Sequence, residues 1–304
     1  MAIVTPKRFQ SRIDWSFVEI EAETTAVTSD IQQWIVSQAQ AGHDATSLLK
    51  AMCDSGWQEE AALETIQKTL SQFLEQRSVE MNLPAPVAVP DISLEDAANA
   101  LNLGDRVVGV VMAMQVPRVV VLSGFLSDEE CQALISAASP RMQRSLTVDH
   151  QTGADQVHAQ RTSHGMFFSR GENEVIQRIE NRLAKLLNWP VENGEGLQVL
   201  HYQPGHEYKP HYDYFDPNEP SAATVLARGG QRVATVLMYL NEPTRGGGTT
   251  FPSVNLEISP QKGSAVFFNY DRAHPVSRTL HGGAPVREGE KWVATKWLRE
   301  RKFE

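Results

Sequence analysis

Residues 197–213 (LQVLHYQPGHEYKPHYD) contain His211 and Asp213, an imidazole and a carboxylate two positions apart. On a strand, residues i and i+2 project from the same face. Both side chains can then reach one metal ion without bending the backbone. A second imidazole would complete a two-histidine, one-carboxylate set, which leaves coordination positions open and suits non-haem Fe(II) chemistry. The histidines downstream are His274 and His281. His274 precedes Pro275 next to Asp271 and Arg272, in what reads as a turn. His281 closes residues 275–281, which read as a strand leading into Gly282 and Gly283. The strand-borne His281 is therefore favoured as the third ligand.

Lys291 opens the run 291–298 (KWVATKWL), with Val293 and Thr295 expected on the same face. A lysine directed into a barrel needs a carboxylate partner to keep its charge. This run contains no acidic residue, so a carboxylate ligand is a candidate partner. The glycine-rich residues 245–252 (RGGGTTFP) lack the Lys-Ser/Thr of a phosphate-binding loop, and no helix follows them. They read as a hairpin turn.

The elements that must carry these residues follow from periodicity. Residues 28–76 show three short amphipathic helices: one with Ile31, Trp34, Ile35 and Ala39, one with Leu48, Leu49 and Met52, and one with Ala61, Leu63, Ile66, Leu70 and Phe73. Gly42 and Gly56 separate them. The proline-rich stretch 84–90 is an extended joint, which divides the chain into a helical region over 1–84, a linker over 85–97 and a larger domain over 98–304. In the latter, 93–101 is expected to be helical and 107–122 β-rich. Ser127 and Glu130 form a capping box for a helix to about Ala138. Residues 142–160 read as a polar loop, 161–168 as a strand and 174–187 as a helix ended before Pro190. Strands follow at 197–203, 231–240, 254–259, 264–270, 276–281 and 292–298. The pattern predicts an α+β chain whose core is a double-sheet jelly roll with supporting helices.

The 304 residues carry a formal net charge of -9, which excludes a basic footprint for nucleic acid or an anionic membrane. No apolar run reaches membrane-spanning length. Cys53 and Cys131 lie far apart with no metal spacing around them, which suggests reduced thiols and a cytoplasmic protein.

Together these residues resemble the prolyl 4-hydroxylase family of Fe(II)/2-oxoglutarate dioxygenases, in its bacterial, cytoplasmic form. The resemblance covers about 115–301 and rests on 125–131 (FLSDEEC), 161–163 (RTS), 197–213, 231–240 (QRVATVLMYL), 246–252 (GGGTTFP), 281–286 (HGGAPV) and 291–298. It implies Fe(II) at His211, Asp213 and His281. It implies that Lys291 pairs with the far carboxylate of 2-oxoglutarate, helped by the hydroxyls of Tyr202 and Thr235. Arg161, Ser163, Glu195, Tyr208 and Trp297 would line a groove for a proline-containing peptide, under a lid formed by 142–160. O2 is the oxidant, ascorbate an expected reductant, and succinate and CO2 are products. No catalytic group beyond the metal ligands is implied.

Arg299 stands where some relatives have histidine, the disulfides of secreted relatives are absent, and the N-terminal helices match nothing in the animal collagen enzymes. Those helices are expected to bind a protein partner or to cover the catalytic core. Other readings are a hydroxylase of free proline or another small molecule, a non-catalytic jelly-roll binding module, and a zinc hydrolase. The intact ligand set argues against the second, and Lys291 against the third.

Overall fold

The computed structural model describes residues 29–94, 99–144, 146–148, 155–157 and 162–304. The chain forms two compact units that divide between Ala85 and Pro86. The first contains α1 (Ser29–Gln40), α2 (Ala45–Asp54) and α3 (Glu59–Glu80). Asp44 caps α2, its Oδ1 accepting from the Ser47 amide at 2.7 Å. Ile35, Leu48, Met52, Ala62 and Ile66 make a core of their own, flanked by Ile31, Trp34, Ala39, Leu49 and Leu70.

The second unit holds β1 (Ala100–Asn102), β2 (Val107–Met114), β3 (Val119–Ser123), α4 (Asp128–Ala138), β4 (Gln143–Arg144), β5 (Leu146–Val148), β6 (Asp155–Val157), β7 (His164–Phe168) and α5 (Glu174–Leu187). The jelly-roll region adds β8 (Leu197–Tyr202), β9 (Tyr208–His211), α6 (Ala222–Ala227), β10 (Arg232–Tyr239), β11 (Arg245–Gly246), β12 (Thr249–Phe251), β13 (Leu256–Ile258), β14 (Ala265–Asn269), β15 (His281–Gly283), β16 (Val286–Glu288) and β17 (Lys291–Arg299). A nine-stranded sheet runs β1-β2-β3-β14-β10-β17-β8-β7-β4, and a four-stranded sheet runs β13-β12-β15-β9. From β8 onward, β8, β10, β14 and β17 lie in the large sheet and β9, β12, β13 and β15 in the small one, while β11 pairs with β16, which is the double-stranded β-helix predicted from the turn spacing.

Strand alternation sorts the core into two layers. On one face of the large sheet, Val199, Val236, Phe267 and Ala294 meet Ile176, Ile179, Leu183 and Leu187 of α5 and Leu134 of α4. On the other, Leu200, Tyr202, Val266, Phe268 and Val293 meet Phe251 and Ile258 of the small sheet. The helices are placed by their ends. Ser127 and Glu130 form the expected capping box on α4. Asn173 caps α5, which stops at the left-handed Asn188 two residues before Pro190. Lys296 turns toward the helix layer and pairs with Glu180 at 2.5 Å, both side chains 2 % exposed. Removing either partner would strand a buried charge, at a cost of about 3–5 kcal/mol.

Several expected elements differ. The proline-rich joint is stitched to the sheet: the Val87 amide donates to Asp271 O at 2.7 Å, and Asn269 Nδ2 donates to Pro90 O at 2.7 Å. Ala100 and Leu101, expected in a helix, pair with Gly109 and Val108 in β1, and 95–98 lie outside the described residues. The expected loop 142–160 contains β4 and the two-stranded ladder of β5 with β6, and its remaining residues are not among those described. Residues 276–281 do not form one strand. Pro275–Ser277 is a 3-10 turn capped by His274, and Arg278 follows at φ 56°. Proline at its start has no amide for a ladder, and the left-handed residue ends any extended run. The strand starts instead at His281.

Candidate active site

His211 ends β9 and His281 begins β15, and the two are register partners across the ladder. Gly282 allows that approach: a Cβ there would lie 2.8 Å from Tyr208 O. Asp213 lies beyond the end of β9, in the bend that follows. The His-x-Asp pair is therefore brought together by a chain turn and not by strand alternation. His211 Nε2 is 3.5 Å from Asp213 Oδ1, and His281 Nε2 is 3.4 Å from Asp213 Oδ2. The three donor atoms lie within 4.8 Å of one another.

Each imidazole is oriented from behind. His211 Nδ1 faces Lys209 O at 2.9 Å and His281 Nδ1 faces Thr279 O at 3.0 Å. A carbonyl can only accept, so each Nδ1 carries a proton, and Nε2 is the ring atom turned toward Asp213. Burial, with His211 close by, pushes His281 down to about 4, which favours the neutral ring. Burial opposes charge on Asp213, but His281, His211 and Arg232 outweigh it and hold the carboxyl well below the usual range. Two imidazole Nε2 atoms and one ionised carboxylate, converging inside a barrel, form a donor set that fits Fe(II). Tyr208 stacks on His211 with ring centroids 3.7 Å apart.

Thr235 is fully buried, and its hydroxyl donates to Asp213 Oδ2 at 2.7 Å, with Tyr270 Oη 3.1 Å away. This separates it from Lys291, which it was expected to assist. Thr235 pairs with Trp297 in β17, six residues along that strand from Lys291. Lys291 pairs instead with Tyr202 in β8. Its Nζ lies 5.5 Å from the Tyr202 ring centroid and 5.6 Å from that of Tyr239. Tyr239 donates its hydroxyl to Thr249 Oγ1 at 2.6 Å. Burial pushes Lys291 down to about 8, opposed by the charge of Glu257.

Of the expected groove residues, Arg161 lies outside the described residues, and Ser163 is fully buried. Glu195 is committed to a buried ion cluster. Arg232 grips both of its oxygens, Nε to Oε1 at 2.7 Å and Nη2 to Oε2 at 2.8 Å. Arg299 Nε is 3.0 Å from the same Oε1. The Arg232 guanidinium lies 4.0 Å over the Trp297 ring, covering one face of it, and Trp297 Nε1 is buried without a hydrogen-bond partner. Arg232 was not singled out in the sequence. Its signal was faint, an arginine at the start of an apolar strand whose partner Glu195 is 37 residues earlier.

A family model described as the 2OG-Fe(II) oxygenase superfamily matches residues 197–299. Prolyl 4-hydroxylase 5 of Arabidopsis thaliana is 43 % identical over 208 residues, which cover 62 % of this chain and 70 % of that protein. The chain belongs to the prolyl 4-hydroxylase family. Prolyl 4-hydroxylase 1 of the same plant is 44 % identical over 204 residues, covering 61 % of this chain and 70 % of that protein. Among solved structures, a viral collagen prolyl hydroxylase from Paramecium bursaria Chlorella virus-1, in complex with 2OG, shares 35 % identity. It covers 60 % of this chain and 95 % of that one, at a TM-score of 0.47. This member of the family is a 2-oxoglutarate-dependent dioxygenase, and its chemistry requires Fe(II), 2-oxoglutarate and O2.

Proposed function

We propose that this dioxygenase hydroxylates prolyl residues of a peptide or protein, converting 2-oxoglutarate and O2 to succinate and CO2 as one oxygen atom enters the substrate. The observation that carries the site assignment is the convergence of His211, Asp213 and His281 within 4.8 Å, with both Nδ1 atoms tied to main-chain carbonyls. The substrate class is supported by the prolyl 4-hydroxylases to which the chain is similar.

In this reading, His211 Nε2, Asp213 and His281 Nε2 hold Fe(II). The iron, with 2-oxoglutarate and O2, supplies the oxidising power that breaks an unactivated C–H bond. The protein binds, orients and excludes water. Lys291 binds the far carboxylate of 2-oxoglutarate, and its burial makes the ion pair stronger than one in solvent. Tyr202 and the Tyr239–Thr249 pair form the walls of that pocket. Thr235 fixes the Asp213 carboxylate. Tyr208, Ser163, Glu195, Trp297 and Arg161 belong to the peptide groove, where the orphaned Nε1 of Trp297 offers a donor for a peptide carbonyl.

Ascorbate is included as the reductant. A cytoplasmic placement is proposed on two cysteines that are free, Cys53 half-buried and Cys131 buried. The helical unit is proposed to bind a protein partner. No described helix is long and apolar enough to cross a membrane, and a net charge of -9 disfavours nucleic acid. The test is succinate release and hydroxyproline formation with a panel of proline-containing peptides and free proline. Peptide turnover supports the proposal, and turnover of free proline alone overturns it.

A further inference from the structure

The ion cluster beside the metal site is unbalanced. Glu195 carries one negative charge, and both Arg232 and Arg299 bind it. All three are largely or wholly buried, so solvent screens the surplus poorly. The Arg299 Nη atoms are tied to the fold. Nη1 donates to Gly230 O at 2.7 Å and Nη2 to Val225 O at 3.1 Å. The cluster is also close to the metal ligands in the chain. Phe215, two residues past Asp213, lies under both guanidiniums, at 4.7 Å from Arg232 and 4.9 Å from Arg299. The Gln231 side chain pins it there, accepting from the Phe215 amide and donating to its carbonyl, both at 2.7 Å.

Asp213 also acts on Arg232, but its oxygens are turned to His211 and His281. Arg228 is exposed and Glu300 only partly buried at the rim, and their charges oppose each other. At the far end of the site Lys291 faces the charge of Glu257. At the Trp297 end two guanidiniums share the one carboxylate of Glu195. Arg232 holds Glu195 through Nε and Nη2, which leaves Nη1 outside that pair.

We propose that Arg299 is a specificity-determining residue: by adding a second guanidinium to the Glu195–Arg232 pair, it makes the peptide end of the site cationic and selects prolyl peptides that carry a carboxylate next to the target proline. The inference rests on the prolyl-peptide reading. Arg299 is anchored to the fold through both Nη atoms, and it acts here through its charge and through the Glu195 carboxylate, which in turn sets the position of Arg232 over Trp297. Histidine at the same place, neutral at pH 7.5, would leave the cluster balanced.

The experiment uses the full chain with Fe(II) and 2-oxoglutarate and three peptides of equal length, in which the residue next to proline is Asp, Ser or Lys. Hydroxyproline formation gives kcat/KM, and quenching of tryptophan fluorescence gives peptide affinity without turnover. The Asp peptide is expected to exceed the Ser peptide about tenfold in both measurements, the scale of one poorly screened charge, and the Lys peptide to fall below both. Arg299→Gln should bring the Asp-to-Ser ratio close to one, while Arg299→Lys retains it. If Arg299→Gln does not fold, the order of the three peptides on the unsubstituted enzyme, and its flattening by salt, decide the matter. Equal turnover of the Asp and Ser peptides overturns the inference and leaves prolyl hydroxylation standing. Turnover of none of the peptides overturns both.

Discussion

His211 and His281 face each other across the ladder of β9 and β15, and each ties its Nδ1 to the carbonyl two residues before it, Lys209 and Thr279. The same local device on both strands fixes both tautomers before a metal arrives, so metal binding needs no ring reorientation. We expect His281→Ala and His211→Ala to abolish Fe(II) binding and turnover. His274 is spent on capping the 3-10 turn, with Nδ1 accepting from the Val276 amide. His274→Ala should leave iron affinity unchanged. Titration of the folded variants with Fe(II) under anaerobic conditions checks this, and loss of binding in His274→Ala alone would refute the ligand assignment.

The Thr235–Asp213 hydrogen bond predicts a different phenotype. A carboxylate held at 2.7 Å by a fully buried hydroxyl is presented in one orientation. Thr235→Val keeps the shape and removes the donor, and should weaken iron affinity by about tenfold or more. Thr235→Ser should restore it. The KM for 2-oxoglutarate, measured at saturating iron, is expected to change little, because Lys291 lies at the other end of the strand pair. A strong rise in that KM with normal iron affinity would return Thr235 to the cosubstrate pocket.

Which of these features the sequence disclosed depends on how local each one is. Helix α5 was legible to the residue, because its apolar stripe and Pro190 lie within one short segment. His211, Asp213 and Lys291 were legible from residue type and spacing. The place of Thr235 was not, because it depends on the register of β10 with β17, which pairs residues about sixty positions apart. Arg232 escaped for the same reason, since its carboxylate partner Glu195 stands 37 residues earlier, just before β8. Residues 276–281 misled because alternation suggested a strand, whereas Pro275 and the left-handed Arg278 set the local backbone. The His-x-Asp geometry was expected for the wrong reason: the strand stops at His211, and the bend after it delivers Asp213.

Lys291 gives a prediction with a pH sign. Lys291→Ala removes a charge-assisted pair in a closed pocket, worth ~2 kcal/mol, so the KM for 2-oxoglutarate should rise roughly thirtyfold with iron affinity intact. Burial has already lowered this lysine to about 8 in the free protein. A base with a lowered pKa loses its proton earlier as pH rises, so the KM of the unsubstituted enzyme should climb above about pH 8. Arginine stays charged in that range, and the Lys291→Arg variant, if it binds, should show a flat profile. An unchanged KM in Lys291→Ala would remove the residue from the cosubstrate site.

Gly282 carries a structural prediction. A methyl group there meets Tyr208 O at 2.8 Å and the Pro210 amide nitrogen at 3.1 Å, both main-chain atoms that cannot swing aside. Gly282→Ala must therefore push β15 away from β9, moving His281 relative to His211. The expected result is a lower Tm together with at least a tenfold loss of iron affinity, on the scale seen when metal ligands lose their positioning. Gly205, where an added Cβ meets nothing within 4 Å, is the control for loss of glycine as such, though its φ of 85° carries its own strain. Normal iron binding by Gly282→Ala would mean that the two strands have room to spare.

The last prediction concerns the helical unit. Its core, from Ile35 to Ile66, shares no residue with the two core clusters of the second unit, which begin at Ile92 and Val119. The joint after Ala85 contributes to the second unit through Val87, Pro90 and Ile92: the Val87 amide donates to Asp271 O, Asn269 to Pro90 O, and Arg118 to Ile92 O. A chain starting at Pro86 keeps all of these bonds, whereas one starting after Ile92 loses them and exposes part of the sheet. The Pro86 form should therefore fold, bind iron and consume 2-oxoglutarate without peptide at close to the rate of the full chain. A start at residue 95 should lower Tm and impair iron binding. If the helical unit recruits a protein substrate, the Pro86 form should turn over short prolyl peptides normally and lose activity on the protein that contains them. An insoluble or iron-free Pro86 form would instead make the helices part of the catalytic scaffold.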